Sequence, residues 1–395
     1  MDIAVIGAGA SGMAASIAAA RAGASVTLYE HKESAGNKLL ITGNGKCNFT
    51  NTDMRPECFH SSTAEPGRIG GILERFGTDD CLTFFESMGL LHRERKGGLY
   101  PYSDTAESVR SALILEMKRL GVSMMYGLEP ELNLKERLVD GKSYDRVIIA
   151  CGSFVSKRTG SDGSGYALLK KAGVEITPLY PALTPLVTKE NLSALKGVRC
   201  EAALTLKDGE GRIRERSFGE LQPYEHGFSG ICAMDISGEA CRILAGKGRA
   251  YAEADYLPLM SDEELETMLK HRRESYPERD TADLLTGIFP RKLINYLVHP
   301  VDSRRPDHLR KLTNIIKHSR YELSADMLTD FSRAQTVAGG VSFEQLDDDL
   351  MLNDMEGVYI TGELIDADGI CGGYNLHFAW ASGIIAATNA AGSGI

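Results

Sequence analysis

Asp2-Ile3-Ala4-Val5-Ile6-Gly7-Ala8-Gly9-Ala10-Ser11-Gly12-Met13, followed at position 30 by a glutamate, is the stretch on which the reading of this 395-residue chain turns. Ile3–Ile6 is short and apolar, as in a strand buried on both faces. Gly7–Gly12 spells GxGxxG directly after that strand, and Met13–Ala22 is an alanine-rich helix slim enough to lie close on a sheet. Val26–Glu30 follows as a second strand, so the unit is βαβ, with parallel strands and a right-handed crossover. Each glycine has a reason: Gly7 for the tight turn, Gly9 for close approach of a pyrophosphate, Gly12 for packing of helix on strand. The helix start offers unpaired N–H groups and roughly half a positive charge to an anion. Glu30 stands where an acid accepts both hydroxyls of an adenosine ribose, which disfavours a 2′-phosphate. These features predict a dinucleotide site.

The other end of the chain decides which dinucleotide. Gly357-Val358-Tyr359-Ile360-Thr361-Gly362-Glu363 repeats strand, glycine and acid, and Gly372-Gly373-Tyr374-Asn375 opens a last helix running to about Ala390. An acid so placed suits a ribityl hydroxyl. A helix start beside it suits the pyrimidine edge of a flavin, which gains negative charge on reduction. The expected cofactor is FAD, held between the first and last segments. A second GxGxxG with a following acid is absent between 152 and 335. Gly160–Gly165 (GSDGSG) is glycine-rich but lacks a preceding strand. NAD(P)H is therefore expected only as a transient co-substrate.

Composition narrows the partners. Hydrophobic residues are 43% and charged residues 25%, the balance of a globular protein, and the net charge of −10 gives no basic surplus for a polyanion. The expected partner is a small molecule, with neither nucleic acid nor membrane. No basic, apolar leader opens the sequence and no apolar run reaches membrane-spanning length, so a cytoplasmic location is expected. The eight cysteines include no CxxC and no zinc spacing, which points to free thiols, no metal and no disulfide relay. Oligomeric state has no signature here.

Between the two ends the character changes. Thr105 with Ser108 caps an amphipathic helix over 105–120, and Tyr144–Cys151 reads as a buried strand ending at Gly152. Leu204–Lys207 and Arg212–Phe218, joined at Asp208-Gly209, read as a hairpin. Residues 261–318 read as helices: Ser261 with Glu264 makes a capping box, Pro290 starts a second helix, and Leu309, Leu312 and Ile316 mark a third. The Asp347–Asp349 run reads as solvent-exposed. Asp366 and Asp368 hint at a DxDG loop that lacks the other ligands of a calcium site.

With these residues in view, the chain resembles the BaiN-like flavoproteins, the aminoacetone oxidase family of FAD-binding enzymes. The likeness rests on GAGASG at the start, Asn37–Asn51 (NKLLITGNGKCNFTN), Ala150–Pro185 and Ala334–Ala387, the last containing AQTVAGGV and DADGICGGYNL. The resemblance implies an α/β fold of the two-dinucleotide-binding-domain type, a three-layer FAD domain on a parallel sheet with inserted β-barrel-like and helical domains. It would span 1–185 and 335–395, with the β-barrel-like part over 186–256 and 322–334 and the helical insert over 257–321. It implies FAD contacts at Ala10 and Ser11 (pyrophosphate), Glu30 (ribose), Lys38 and the loop Thr42, Gly43, Asn44, Gly45, Cys47 and Asn48 (flavin), and Leu128 (adenine). Gly362, Glu363, Gly373, Asn375 and Leu376 would meet the ribityl and pyrimidine end. His31, Leu39, Ala150, Cys151 and Gly152 join Gly7, Gly9 and Gly12 as further cofactor-binding positions. The chain departs from the family with GNGKCN for GGGRCN, ACGS for ATGG, and GELQPYEHGFSG over Gly219–Gly230, a stretch expected to face substrate.

The expected activity is that of an FAD-dependent oxidoreductase moving hydride between flavin and a small or medium organic substrate. The alternatives are an amine or ketone oxidase using oxygen, and a non-enzymatic flavin redox sensor. No catalytic side chain is assignable. Cys47, Cys371, Tyr374 and His377 fall near the expected flavin, Tyr224 and His226 on the substrate stretch. His377, on one helical face with Trp380 and Ile384, reads as a packed histidine.

Overall fold

The structure, a computed structural model, describes residues 1–393. Its contacts divide the chain into two units, Met1–Leu179 with Gln335–Ile395, and Tyr180–Ala334.

The first unit is a Rossmann-type α/β fold. Five parallel strands, β1 (Asp2–Ile6), β2 (Ser25–Glu30), β3 (Ser123–Tyr126), β4 (Arg146–Ile149) and β5 (Val358–Ile360), lie in the order β5-β4-β1-β2-β3. Register puts Ile6 beside Tyr29 on one side and Ile149 on the other, and Val147 beside Val358. The chain's end thus completes the sheet its beginning starts. The first helix, Ala10–Arg21, packs on the final helix, Tyr374–Ala390. Gly383 allows that approach, and Gly362 lets the turn after β5 come close to the same helix start. A Cβ at Gly383 would lie 2.4 Å from the Ser11 carbonyl oxygen, and one at Gly362 would lie 2.7 Å from Ser11 Oγ. The final helix is apolar almost all round and correspondingly buried. Thr105 caps the helix Ala106–Arg119, its Oγ1 accepting the Ser108 N–H at 3.3 Å.

The second unit carries a six-stranded antiparallel sheet with the strands 186–187, 227–229, 213–224, 200–208, 250–255 and 319–322 side by side in that order. The expected hairpin is present, its strands joined over 209–212. The Asp208 carboxylate organises it, accepting the N–H groups of Glu210 and Arg212. Helices occupy Asp262–Ser275, Arg291–Val298 and His308–His318. The capping box is present: Ser261 Oγ accepts the Glu264 N–H at 3.2 Å and Glu264 Oε2 accepts the Ser261 N–H at 2.7 Å. Leu265, Leu269, Leu293, Leu312 and Ile316 share one apolar core with Leu204 and Leu206 of the sheet. Among the described residues no helix is long and apolar enough to cross a membrane.

Candidate functional site

The glycine turn after β1 is locked by backbone geometry. Gly7 has φ +105°, and a Cβ there would lie 2.5 Å from the Ala150 carbonyl oxygen. A Cβ at Gly12 would lie 1.8 Å from the Gly7 carbonyl oxygen. Gly9 differs, for its Cβ would meet nothing nearer than 4.0 Å, so that face of the turn is open. The first helix begins at Ala10 with Ser11 and Gly12 in its opening turn, without a side-chain cap and without an acidic residue. Its first N–H groups are thus offered to an anion. Glu30, buried at the end of β2, is held beside the turn: Oε2 accepts the Ala8 N–H at 2.8 Å and Oε1 the Lys32 N–H at 2.9 Å. Each oxygen keeps a lone pair for a hydroxyl donor. His31 lies alongside, Nδ1 3.4 Å from Glu30 Oε1, while its Nε2, 3.9 Å from Asp162 Oδ2, is screened from water without a hydrogen-bond partner among the described residues. Leu128, half exposed, donates its N–H to the Glu30 carbonyl. Ala150, Cys151 and Gly152 continue β4 against Gly7, and burial pushes the Cys151 thiol up to about 12.

A second cluster forms around Glu363. Its carboxylate accepts from Lys38 Nζ (2.6 and 2.9 Å), Thr336 Oγ1 (3.1 Å) and Ser153 Oγ (3.2 Å), and its carbonyl accepts from Tyr166 Oη (2.8 Å). Gly362, at φ +67°, donates its N–H to Ser382 Oγ of the final helix. Ser153, Tyr166, Thr336 and Ser382 escaped the sequence reading. They converge across long stretches of chain, and no local pattern marks them.

The loop after Lys38 is backbone-strained. Leu39 is buried at its start and Thr42 Oγ1 donates to the Leu39 carbonyl. Gly43, Asn44, Gly45 and Cys47 all have positive φ, at 54°, 55°, 81° and 59°. Two of these are not glycine, an arrangement costing about 1–2 kcal/mol each and typical of ligand clamps. Successive residues in such conformations turn their N–H groups toward one centre, a ready anion or carbonyl cradle. Cys47 is fully buried and burial pushes its thiol to about 12, so it is no thiolate near neutrality. Asn48 Oδ1 is screened from solvent without a hydrogen-bond partner among the described residues. A Cβ at Gly373, the N-cap of the final helix, would lie 3.0 Å from that oxygen. The loop therefore abuts the final helix's start, where Asn375 and Leu376 lie in an opening turn without acidic residues. The Asn375 side chain is already engaged, exchanging two hydrogen bonds with Gly369, which leaves its backbone N–H for a ligand.

Other residues fall into structural roles. His377 is fully buried, Nδ1 2.8 Å from Thr50 Oγ1 and Nε2 3.0 Å from the Phe76 carbonyl, and burial lowers its pKa to about 4. It is a packed, neutral histidine. Tyr374 is buried against Phe59. In the second unit, Tyr224 Oη donates to the Leu186 carbonyl and His226 is exposed at the strand turn. Of the Asp347–Asp349 run only Asp348 is exposed; Asp349 pairs with Arg75 at 2.6 Å, and Asp347 accepts two backbone N–H groups.

These residues fit FAD. Two uncapped helix starts, two carboxylates, an open turn at Gly9 and an orphaned buried acceptor at Asn48 match the anionic, hydroxylic and imide parts of that molecule. The first helix and Glu30 could hold the adenosine diphosphate half, and Lys38, Glu363, the 42–48 loop and the final helix the flavin half.

Comparison with known proteins agrees. Residues 1–389 match the family described as HI0933-like protein Rossmann domain. A 3-dehydro-bile acid Δ4,6-reductase of Clostridium scindens is 38% identical over 408 aligned positions, covering 98% of both chains. A ribosomal RNA dihydrouridine synthase of Escherichia coli is 26% identical over 399 positions, covering 96% of both. Among solved structures, a 3-ketosteroid Δ1-dehydrogenase of Sterolibacterium denitrificans aligns over 99% of each chain with a TM-score of 0.49 at 12% identity, too distant to bear on activity. The chain belongs to the HI0933-like Rossmann-domain family, whose members are FAD-dependent oxidoreductases.

Proposed function

We propose that the protein reduces a carbon–carbon double bond conjugated to a carbonyl in a small, largely apolar, steroid-like molecule, with FAD as the bound carrier and NAD(P)H as a transient donor. The observation that carries the reading is the two-ended cradle in the first unit, where the Gly7–Gly12 turn and the start of the final helix flank Glu30, Lys38 and Glu363. Bound there, FAD supplies a two-electron carrier able to deliver hydride to the carbon β to a carbonyl. Glu30 would accept the ribose hydroxyls and the first helix's N–H groups the pyrophosphate. Glu363 would accept a ribityl hydroxyl while Lys38, Thr336 and Ser153 hold it in place. The positive end of the final helix would favour negative charge on the pyrimidine edge, which helps a two-electron carrier accept hydride. The α carbon takes a proton, so each turnover uses NAD(P)H and one proton and releases NAD(P)+.

The substrate class follows the bile acid reductase, which matches this chain along its length more closely than the RNA-modifying relatives do. The net charge of −10 also argues against a polyanionic substrate. The test is anaerobic. The purified protein is reduced with NADH or NADPH, then mixed with a 3-oxo-Δ4,6 steroid or with ribosomal RNA. Return of the oxidised flavin spectrum with the steroid alone supports the proposal. Return with RNA alone, or oxidation only by air with peroxide release, overturns it.

A further inference from the structure

The DxDG segment sits between the two cofactor-facing points of the last segment, three residues after Glu363 and seven before Gly373, and the reading above gives it no role. Asp366 is fully buried. Its Oδ2 accepts from the Ser62 N–H (3.0 Å), Ser62 Oγ (2.6 Å), Thr63 Oγ1 (2.9 Å) and Ser61 Oγ (3.3 Å). The other oxygen, Oδ1, is buried with no hydrogen-bond partner among the described residues. No third His, Cys or acidic group joins it to make a metal site among those residues.

From this geometry we infer that Asp366 is a positioning residue, an anionic latch that clamps the Ser61–Thr63 loop onto the Glu363–Gly373 connection and so fixes the flavin end of the cradle. Three stretches of chain meet at the latch. Thr63 Oγ1 donates to Asp366 and accepts the Phe343 N–H at 3.1 Å. The Asp366 N–H in turn donates to the Val341 carbonyl at 3.0 Å, and the Val341 N–H to the Leu364 carbonyl at 2.7 Å. Two residues past the latch, Asp368 and Gly369 pair with His60 and Phe59, and Gly369 holds the Asn375 side chain. A carboxylate offers more acceptor sites than any neutral side chain and holds these donors with charge-assisted strength. Without it the connection keeps its backbone bonds to Val341 but loses its tie to the Ser61–Thr63 loop, so the separation of Glu363 and the final helix's start is less firmly fixed.

The inference rests on the flavin reading above, and its test separates the two. Apo-protein from the wild type, Asp366→Asn, Thr63→Val, Thr63→Ser and the Asp366→Asn/Thr63→Val double variant is titrated with FAD by fluorescence quenching. The visible band of the bound cofactor is recorded for each. Asp366→Asn is expected to raise the Kd about tenfold and Thr63→Val about threefold, the scale of lost charge-assisted bonds. Thr63→Ser, which keeps the hydroxyl, should restore both the wild-type Kd and the wild-type band. The double variant should be weaker than Asp366→Asn by less than the threefold of Thr63→Val alone, because the two changes share the Thr63–Asp366 bond while Thr63→Val also frees the Phe343 N–H. A folded Asp366→Asn with the wild-type Kd overturns the inference, as does a Thr63→Ser variant as weak as Thr63→Val. Where Asp366→Asn fails to fold, the Thr63 pair decides alone. A wild-type chain that binds no FAD would sink the flavin reading instead. The latch is then read by limited proteolysis, cleavage near Ser61–Glu65 in Asp366→Asn but not in the wild type supporting it and equal cleavage refuting it.

Discussion

Gly383 gives the sharpest handle on how the two ends of the chain are joined. An alanine Cβ there would lie 2.4 Å from the Ser11 carbonyl oxygen, 3.1 Å from its carbon and 3.2 Å from its Cα. Ordinary contact starts at 3.4 Å, so the first and final helices must part by 3.4 − 2.4 = 1.0 Å, and the obstacle is backbone, which cannot rotate away. Overpacking of this kind costs about 1–3 kcal/mol. Alanine also gains about 1 kcal/mol over glycine in a helix interior. Taking the upper end for a rigid obstacle, Gly383→Ala should destabilise by about 2 kcal/mol net. It should weaken FAD binding too, since Ser11 moves with the helix start. Gly71 is the control: it lies in the helix Arg68–Arg75 with nothing within 4 Å of its Cβ position, so Gly71→Ala should stabilise by about 0.5–1 kcal/mol. Urea unfolding of both variants, followed by helical circular dichroism and by flavin release, measures the contrast. If Gly383→Ala proves as stable as the wild type and retains FAD, the close packing of the two termini is wrong.

Other consequences are open to simpler tests. Glu30→Gln replaces one acceptor oxygen by an amide that cannot serve the Ala8 or Lys32 N–H, so stability should fall by about 1–3 kcal/mol; unchanged urea midpoints would contradict this. His377 is held neutral, its pKa lowered from 6.5 to about 4 by burial. The unfolded chain therefore takes up a proton that the folded chain resists, and stability falls as pH drops from about 6.5 to about 4, by at most about 3 kcal/mol. Unfolding curves of the wild type and His377→Asn across that window should differ in slope. Cys47, fully buried with its thiol pushed to about 12, should resist alkylation in the native protein at pH 8, read by peptide mass spectrometry.

The fold was legible where local rules suffice. The βαβ unit shows in glycine spacing and apolar runs, the capping box at Ser261 in a four-residue pattern, and the final helix in its glycine start. The hairpin was legible in two strand runs flanking Asp208-Gly209, and the structure adds that the Asp208 carboxylate organises its turn. Within the site, Glu30 stands out because it ends the strand that follows the glycine turn and its helix, and Glu363 because it follows a strand and a glycine. What surrounds Glu363 does not: Ser153 and Thr336 are distant in sequence and chemically ordinary, and only the fold brings them to one carboxylate. Asp366 looked like a fragment of a calcium loop because sequence shows acidity but not the buried hydroxyls that satisfy it. Asp349 looked solvent-exposed because its partner Arg75 lies on a separate helix.

The joining of both chain ends around one cofactor is tested most directly by titrating apo-protein with FAD and, separately, with ADP. FAD should bind one per chain and ADP should compete with it. Glu30→Gln should weaken both ligands, whereas Glu363→Gln should weaken FAD and leave ADP untouched. Failure to bind FAD, or loss of ADP binding on changing Glu363 alone, would contradict the division of the cradle between the two ends.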